Sequence, residues 1–299
     1  MYYRRTPSET LFRAGNYALL AFLGAVTFYP FWYLVVNSLS DPVAGVDAML
    51  WPKQFYWANY WIVADTPGVW RALGVTVLRV ATGVPLMLVV TGTAAFALTR
   101  RELLGRKIII LFFFLSIFFE VGLIPYYMVL RAFGLLNTFW VYVIPAGFSV
   151  WTMIVMKTSF QGLPDGLTEA ARMDGAGYPT IFFRIVVPLS LPMFAVLGLF
   201  SAVTHWNDYF TGEFFVNTEP RLWPLQTFLR VSRQNAIDIL KGVILDYSNM
   251  SPLEEEASRL TQRSLDMAFT VFAMLPILLV YPWLQRYFVK GVLIGSIKE

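Results

Sequence analysis

Six long apolar stretches alternate with polar connections along this chain. They run from about Ala14 to Leu39, Arg71 to Leu98, Ile108 to Met128, Phe139 to Phe160, Ile185 to Tyr209 and Met267 to Phe288. A helix needs about 20 apolar residues to cross a bilayer core of ~30 Å. Each stretch therefore predicts a transmembrane helix, and the fold class is an all-α polytopic membrane protein. Prolines punctuate the spans at Pro30, Pro85, Pro125, Pro145, Pro188, Pro192, Pro276 and Pro282. Such breaks are tolerated where neighbouring helices or water satisfy the freed carbonyls, which suits helices that bend around a cavity.

The polar connections orient these spans. Arg4, Arg5 and Arg13 precede the first, and Arg100, Arg101, Arg106 and Lys107 fill the link between the second and third. Lys157, Arg172 and Arg184 flank the fourth-to-fifth link, and Arg286, Lys290 and Lys298 follow the sixth. The opposite side has only Lys53 and Arg131 in its two shorter loops. Lysine and arginine in short loops mark the cytoplasmic side, whereas long loops weigh little. Six spans with both termini inside follow. Residues 1–13 form a cytoplasmic N-terminus, 14–70 the first span with its outer loop, 71–288 the transmembrane core and 289–299 a cytoplasmic tail.

Composition narrows the chemistry. The chain is 57% hydrophobic and 14% charged, against about 25% charged residues in soluble domains. Its net charge of +4 lies beside the spans, so it reflects topology and not nucleic-acid binding. Without cysteine there is no disulfide or thiolate chemistry, and the single histidine, His205, excludes a multi-histidine metal site. The first apolar run is too long for a secretory signal and lacks a small-residue cleavage site.

Outside the spans, two loops have content. The first outer loop carries Trp51, Phe55, Tyr56, Trp57, Tyr60 and Trp61, which reads as an interfacial belt or as a docking face for an external partner. The second, about 210–266, is too long to be structureless. Arg221-Leu222-Trp223-Pro224-Leu225-Gln226 opens one apolar-periodic helix there, and Glu254-Glu255-Glu256 begins another that runs into the last span. The loop is read as a small outer helical cap.

The link between the fourth and fifth spans holds a short polar helix at about 164–176. Pro164-Asp165 reads as its start, with Asp165 capping the amide of Thr168. Gly175 reads as its terminator, and Glu169 and Arg172 offer polar anchoring at i,i+3 spacing. Its pattern, Glu169-Ala170-Ala171, then Gly175, then Ile185-Val186-Val187-Pro188, resembles the cytoplasmic signature of type I ABC-importer permeases. The one departure is Val187, where leucine is usual. His205-Trp206-Asn207-Asp208-Tyr209-Phe210 resembles the tryptophan-asparagine-acid signature of the carbohydrate-transporting members. Trp223-Pro224-Leu225-Gln226, Phe288-Val289-Lys290-Gly291 and Gly295-Ser296-Ile297-Lys298 are similar to further parts of their pattern. Within the family the chain looks most like the smaller permease subunit of importers of alginate and other acidic oligosaccharides.

The resemblance implies a division of labour. A second homologous permease pairs with this chain around the pathway, two ABC ATPase subunits dock on the cytoplasmic helices, and an external solute-binding protein delivers the carbohydrate. Glu169, Ala170, Ala171, Asp174, Gly175, Ile185 and Pro188 then couple ATPase closure to the spans in a bacterial inner membrane. ATP and Mg belong to the partners, and this chain holds no cofactor. One feature of the residues agrees independently: no glycine is followed by lysine, so there is no P-loop.

Charges inside the spans mark candidate sites because isolated burial in the bilayer is costly. Arg79 and Glu120 fall at matching depth, roughly 12 Å below the outer surface at 1.5 Å per residue, which permits an ion pair or shared water. Trp206, Asn207 and Asp208, near the outer end of the fifth span, join them as candidates for lining a carbohydrate pathway, and His205 reads as a hydrogen-bonded structural residue. Two rival classes make different demands on the sequence. An ion-gradient-driven secondary transporter predicts inverted repeats and paired broken helices, and no convincing halves occur. A membrane enzyme needs convergent catalytic groups, which one histidine and scattered acids do not supply.

Overall fold

A computed structural model describes residues 7–41, 50–119, 121–232 and 263–279. Among them every regular element is helical. Two helices are long and apolar enough to cross a membrane alone, Pro7–Ser38 (α1) and Val69–Ala97 (α3). Two bent pairs bring that number to as many as four if each pair makes one span.

The chain divides into two compact units. The first comprises residues 1–66 and 236–275, and its described helices are α1, Ala58–Asp65 (α2) and the helical residues 263–275. Along most of its length α1 is apolar yet exposed, and only Val36, Asn37 and Ser38 at its end are buried. A helix of that kind is at home in lipid or against another subunit. A polar seam joins the three elements. Asn59 Nδ2 donates to Ser38 O at 3.0 Å and to Ser264 Oγ at 2.7 Å, while Ser38 and Tyr60 hydroxyls meet at 2.6 Å. Small polar side chains hold apolar helices together in this way. The loop aromatics Trp51, Phe55, Trp57 and Trp61 remain exposed.

The second unit comprises residues 67–235 and 276–299, and α3 is its axis. It packs on Val150–Gln161 (α6) and on Leu191–Asn207 (α10). Between α3 and α6 lie Arg106–Ser116 (α4) and Leu123–Ala132 (α5). Between α6 and α10 come Asp165–Met173 (α7), Tyr178–Ile181 (α8) and Val187–Leu189 (α9), with Phe210–Phe215 (α11) after α10. Close approach along α3 needs small residues. A Cβ at Gly92 would lie 3.2 Å from the Phe182 ring, and one at Gly198 would lie 3.3 Å from Leu88. Around them Phe96, Met153, Met156, Phe160, Ile181, Phe182 and Phe194 form the core.

Three expected spans are not straight helices. In the third, α4 and α5 are separate helices, with Gly122 in an extended conformation before Leu123. In the fourth, two 3-10 turns, Phe139–Tyr142 and Pro145–Gly147, precede α6 at an angle of 43°. Ser149 closes that break by accepting from Thr152 N at 3.2 Å while its own amide donates to the buried Thr91 hydroxyl of α3 at 3.3 Å. In the fifth, Tyr178–Leu189 meets α10 at 85°. That shorter arm contains a π turn, Phe182–Val186, and Ser190 at the bend is buried with its hydroxyl unpartnered. The expected last span begins within the helical residues 263–279, and its remainder lies outside the described residues. The Glu254-Glu255-Glu256 helix start also lies outside them. In the second outer loop, α11, the 3-10 turn Pro220–Leu222 and helical residues 225–232 are described.

Candidate functional site

Two places in the second unit carry most of the residues singled out by sequence. The first is α7. Pro164 is its N-cap, and Asp165 is the first helical residue. The expected Asp165 cap on Thr168 is therefore absent, because the chain enters the helix one residue earlier and the acid sits in the first turn. An acid there still favours the positive end of the helix dipole. The C-terminus closes as a Schellman motif. Gly175 has φ +83°, its amide donates to Arg172 O at 3.0 Å, and Ala176 N donates to Ala171 O at 2.9 Å.

This closure decides which way α7 faces. Ala171 and Ala176 pack on the core with Leu163, Ile185 and Val187. Glu169, Ala170, Asp174 and Gly175 are exposed, as is Pro188 further along, and Met173 is 88% exposed. Of the two residues read as polar anchors, Arg172 is engaged within the chain. Its guanidinium donates to Glu102 Oε1 at 3.0 Å and lies 5.5 Å from the Tyr178 ring centroid. Glu102 belongs to the link between α3 and α4, so α7 is tied to a segment 70 residues away in sequence. The Glu102 carboxyl is held below the usual glutamate range, first by its own backbone amide and then by Arg172.

The second place surrounds Arg79 of α3, which is 3% exposed. Its Nε donates to His205 Nδ1 at 3.2 Å, one terminal nitrogen donates to Asp208 O at 3.1 Å, and the other forms an ion pair with the Asp208 carboxylate. The Tyr142 ring lies beneath the guanidinium at 4.7 Å. Asp208 is completed by Thr211, whose amide donates to Oδ1 at 3.1 Å and whose hydroxyl donates to Oδ2 at 2.6 Å. A buried charge is tolerable when its partners are this complete. Because His205 accepts at Nδ1, its imidazole is neutral with the proton on Nε2. Gly83 makes room for the ring: a Cβ there would meet His205 Nε2 at 2.6 Å.

The segment Leu222 to Leu225 is tied to the elements that carry this cluster. Tyr142 OH donates to Leu222 O at 3.0 Å, Trp223 Nε1 to Val216 O at 2.6 Å, and Leu225 N to the buried Thr76 hydroxyl of α3 at 2.8 Å. Arg79, His205 and Asp208 form part of the wall of a cavity of about 400 Å³. Aromatic rings of Tyr126, Trp151 and Phe200 and hydroxyls of Ser149, Ser201 and Thr204 also line it. Ring faces beside hydroxyls suit a ligand with both apolar faces and polar rims.

Sequence reasoning named Arg79 and Asp208 but did not pair them. Glu120, its chosen partner for Arg79, lies outside the described residues. Trp206 is buried and Asn207 exposed, and neither is among the lining residues of that cavity. Tyr142, Thr211 and Gly83 were missed, although an Asp-x-x-Thr spacing at a helix end is a readable capping signal.

Residues 61–294 match the family described as the inner membrane component of binding-protein-dependent transport systems. Over 295 residues the chain is 35% identical to protein LplC of Bacillus subtilis, covering 98% of this chain and 97% of that one. A polygalacturonan/rhamnogalacturonan transport system permease protein, YtcP of the same organism, is 32% identical over 290 residues, with 96% and 98% covered. Among solved structures, a bacterial ABC transporter involved in the import of the acidic polysaccharide alginate matches with a TM-score of 0.79 and 26% identity, over 95% of this chain and 99% of that one.

Proposed function

Since the chain belongs to the family of inner membrane components of binding-protein-dependent transport systems, as the permease component of an ABC importer of sugars or oligosaccharides, we propose that it carries uronate-containing oligosaccharides across a bacterial inner membrane. It has six spans with both termini cytoplasmic, and it pairs with a second homologous permease. Two ATPase subunits hydrolyse ATP with Mg, and an external binding protein delivers the sugar. Helix α7 takes up the ATPase movement through Glu169, Ala170, Ala171, Asp174 and Gly175, and passes it to the spans through Ile185 and Pro188. The chain itself makes and breaks no bonds.

One observation carries this reading: α7 is closed at Gly175, seated on the core through Ala171 and Ala176, and exposed along Glu169, Ala170 and Met173. A helix with no solvent-shielding partner of its own, yet rigidly fixed to a bent span, is built to be pushed. The acidic class of sugar is supported by what the polygalacturonan/rhamnogalacturonan permease and the alginate importer are named for. The cavity beside Arg79 and Asp208 offers ring faces and hydroxyls for a passing sugar.

The test is ATPase activity of the reconstituted importer with its binding protein. Uronate oligosaccharides stimulate hydrolysis, and neutral ones of the same length do not. Glu169→Lys and Gly175→Asp leave insertion intact and break the link between hydrolysis and transport. Normal transport in both variants removes the role assigned to α7.

A further inference from the structure

Leu104 and Met173 are the two most exposed large hydrophobic side chains among the described residues, at 92% and 88%. They are far apart in sequence, yet they stand beside the same ion pair. Met173 follows Arg172, and Leu104 lies two residues after Glu102. Neither sits within a membrane-spanning helix, so lipid tails do not account for their exposure.

The link that carries Leu104 is held in place. Arg106 Nε donates to Leu98 O at 2.8 Å, and the Arg100 guanidinium lies 4.5 Å over the Phe96 ring. Leu103 packs on the same core cluster that seats Ala171 of α7. Gly105, with φ +73°, then turns the chain into α4. With Arg100 and Arg106 engaged on Phe96 and Leu98 and Leu103 half-buried, the link leaves Leu104 outward. Single exposed hydrophobics need no explanation. Here two extreme ones fall within two residues of an ion pair that joins the link to α7, and apolar surface gathered beside a polar contact marks a protein interaction site.

We propose that the link at residues 99–105 forms, with α7, a two-part docking surface for one ATPase subunit, with Leu104 and Met173 as its apolar contacts and Glu102 as the residue that positions Arg172. This rests on the assignment of α7 to ATPase docking and extends it to a second segment. The partner presents an apolar recess wide enough for both side chains, and it holds the link and the helix in fixed register.

The chain contains no cysteine, so each single-cysteine variant carries one thiol in this chain, and its labelling is read on this chain after the subunits are separated by denaturing electrophoresis. Leu104→Cys, Met173→Cys and Glu169→Cys are placed in the importer in lipid nanodiscs, with and without its ATPase subunits, and labelled with a charged maleimide. All three sites react readily without the ATPase, and all three are protected severalfold by its addition. If Leu104→Cys stays reactive while Glu169→Cys is protected, the link lies outside the interface and this inference fails, while the role of α7 stands. If none is protected, both fail together. If Leu104→Cys is already shielded in nanodiscs without ATPase and becomes reactive in detergent, the occupant is the lipid surface, and the inference is overturned.

Discussion

The Arg79 cluster and helix α7 handle charge in opposite ways. At Arg79 every guanidinium nitrogen is engaged, the ring of Tyr142 covers one face, and Thr211 completes the aspartate. At α7 the ion pair of Arg172 with Glu102 is solvent-exposed, and Glu169, Asp174 and Met173 are exposed. The first arrangement is internally complete and holds α3 to the end of α10. The second is complete only on its buried side, where alanines and not charges make the contact. A region whose polar groups are all satisfied fixes a structure. One that buries only its alanine side leaves its charged side exposed.

The largest effect should come from removing half of the buried pair. Asp208→Asn strips Arg79 of its charge partner, and breaking such a pair costs about 3–5 kcal/mol. Thermal unfolding of the purified complex should show this loss, with Arg79→Met in the same chain recovering most of it. If the double variant is no more stable than Asp208→Asn alone, the cluster is not the closed unit described. Next in size is Gly83→Leu, which drives a side chain into His205. Overpacking of this kind costs about 1–3 kcal/mol, and Gly83→Ala should fall below it on the same assay.

At the other region stability effects are smaller and coupling effects larger. Gly175→Ala places a Cβ in the left-handed region and should cost about 1 kcal/mol, while transport per ATP hydrolysed falls further than stability explains. The smallest effect is expected for Arg172→Ala, because an exposed ion pair is weak and screened by salt. Its pH dependence has a definite sign. Since folding lowers the Glu102 pKa, the contribution is fully present above the ordinary glutamate range and is lost as pH falls through the lowered value. Comparing wild type with Arg172→Ala, the difference in unfolding temperature should therefore hold from neutral pH into mild acid and vanish only in stronger acid. A difference that disappears already near neutrality would contradict the pair.

The same contrast explains what was legible in the sequence. Helix α7 is local: a proline before it, a glycine after it and alanines at helical spacing specify it within a dozen residues. Its cap was misplaced by one position because Pro164 and Asp165 both suit a helix start, and the backbone decides between them. The Arg79 cluster is non-local. Arg79 and Asp208 are 129 residues apart, and depth along a straight span is the guide the sequence offers. Straightness is what failed: the third, fourth and fifth spans are broken, so residue counting does not place side chains at a given level. Pro145 and Pro188 signalled breaks, and the 85° bend falls at Ser190, between Pro188 and Pro192, but no sequence pattern states its angle.

That angle has a mechanical meaning. Two helical arms joined at 85° have the shape of a bell crank, a part that relates a displacement along one direction to a swing along another. The long arm, Leu191–Asn207, has 17 residues, or about 25 Å of helix, so a turn of about 10° at the corner carries its tip ~4 Å. Asp208 sits at that tip. That displacement exceeds the ~3 Å reach of a hydrogen bond, so the contact between Asp208 and Arg79 holds only while the corner keeps its angle.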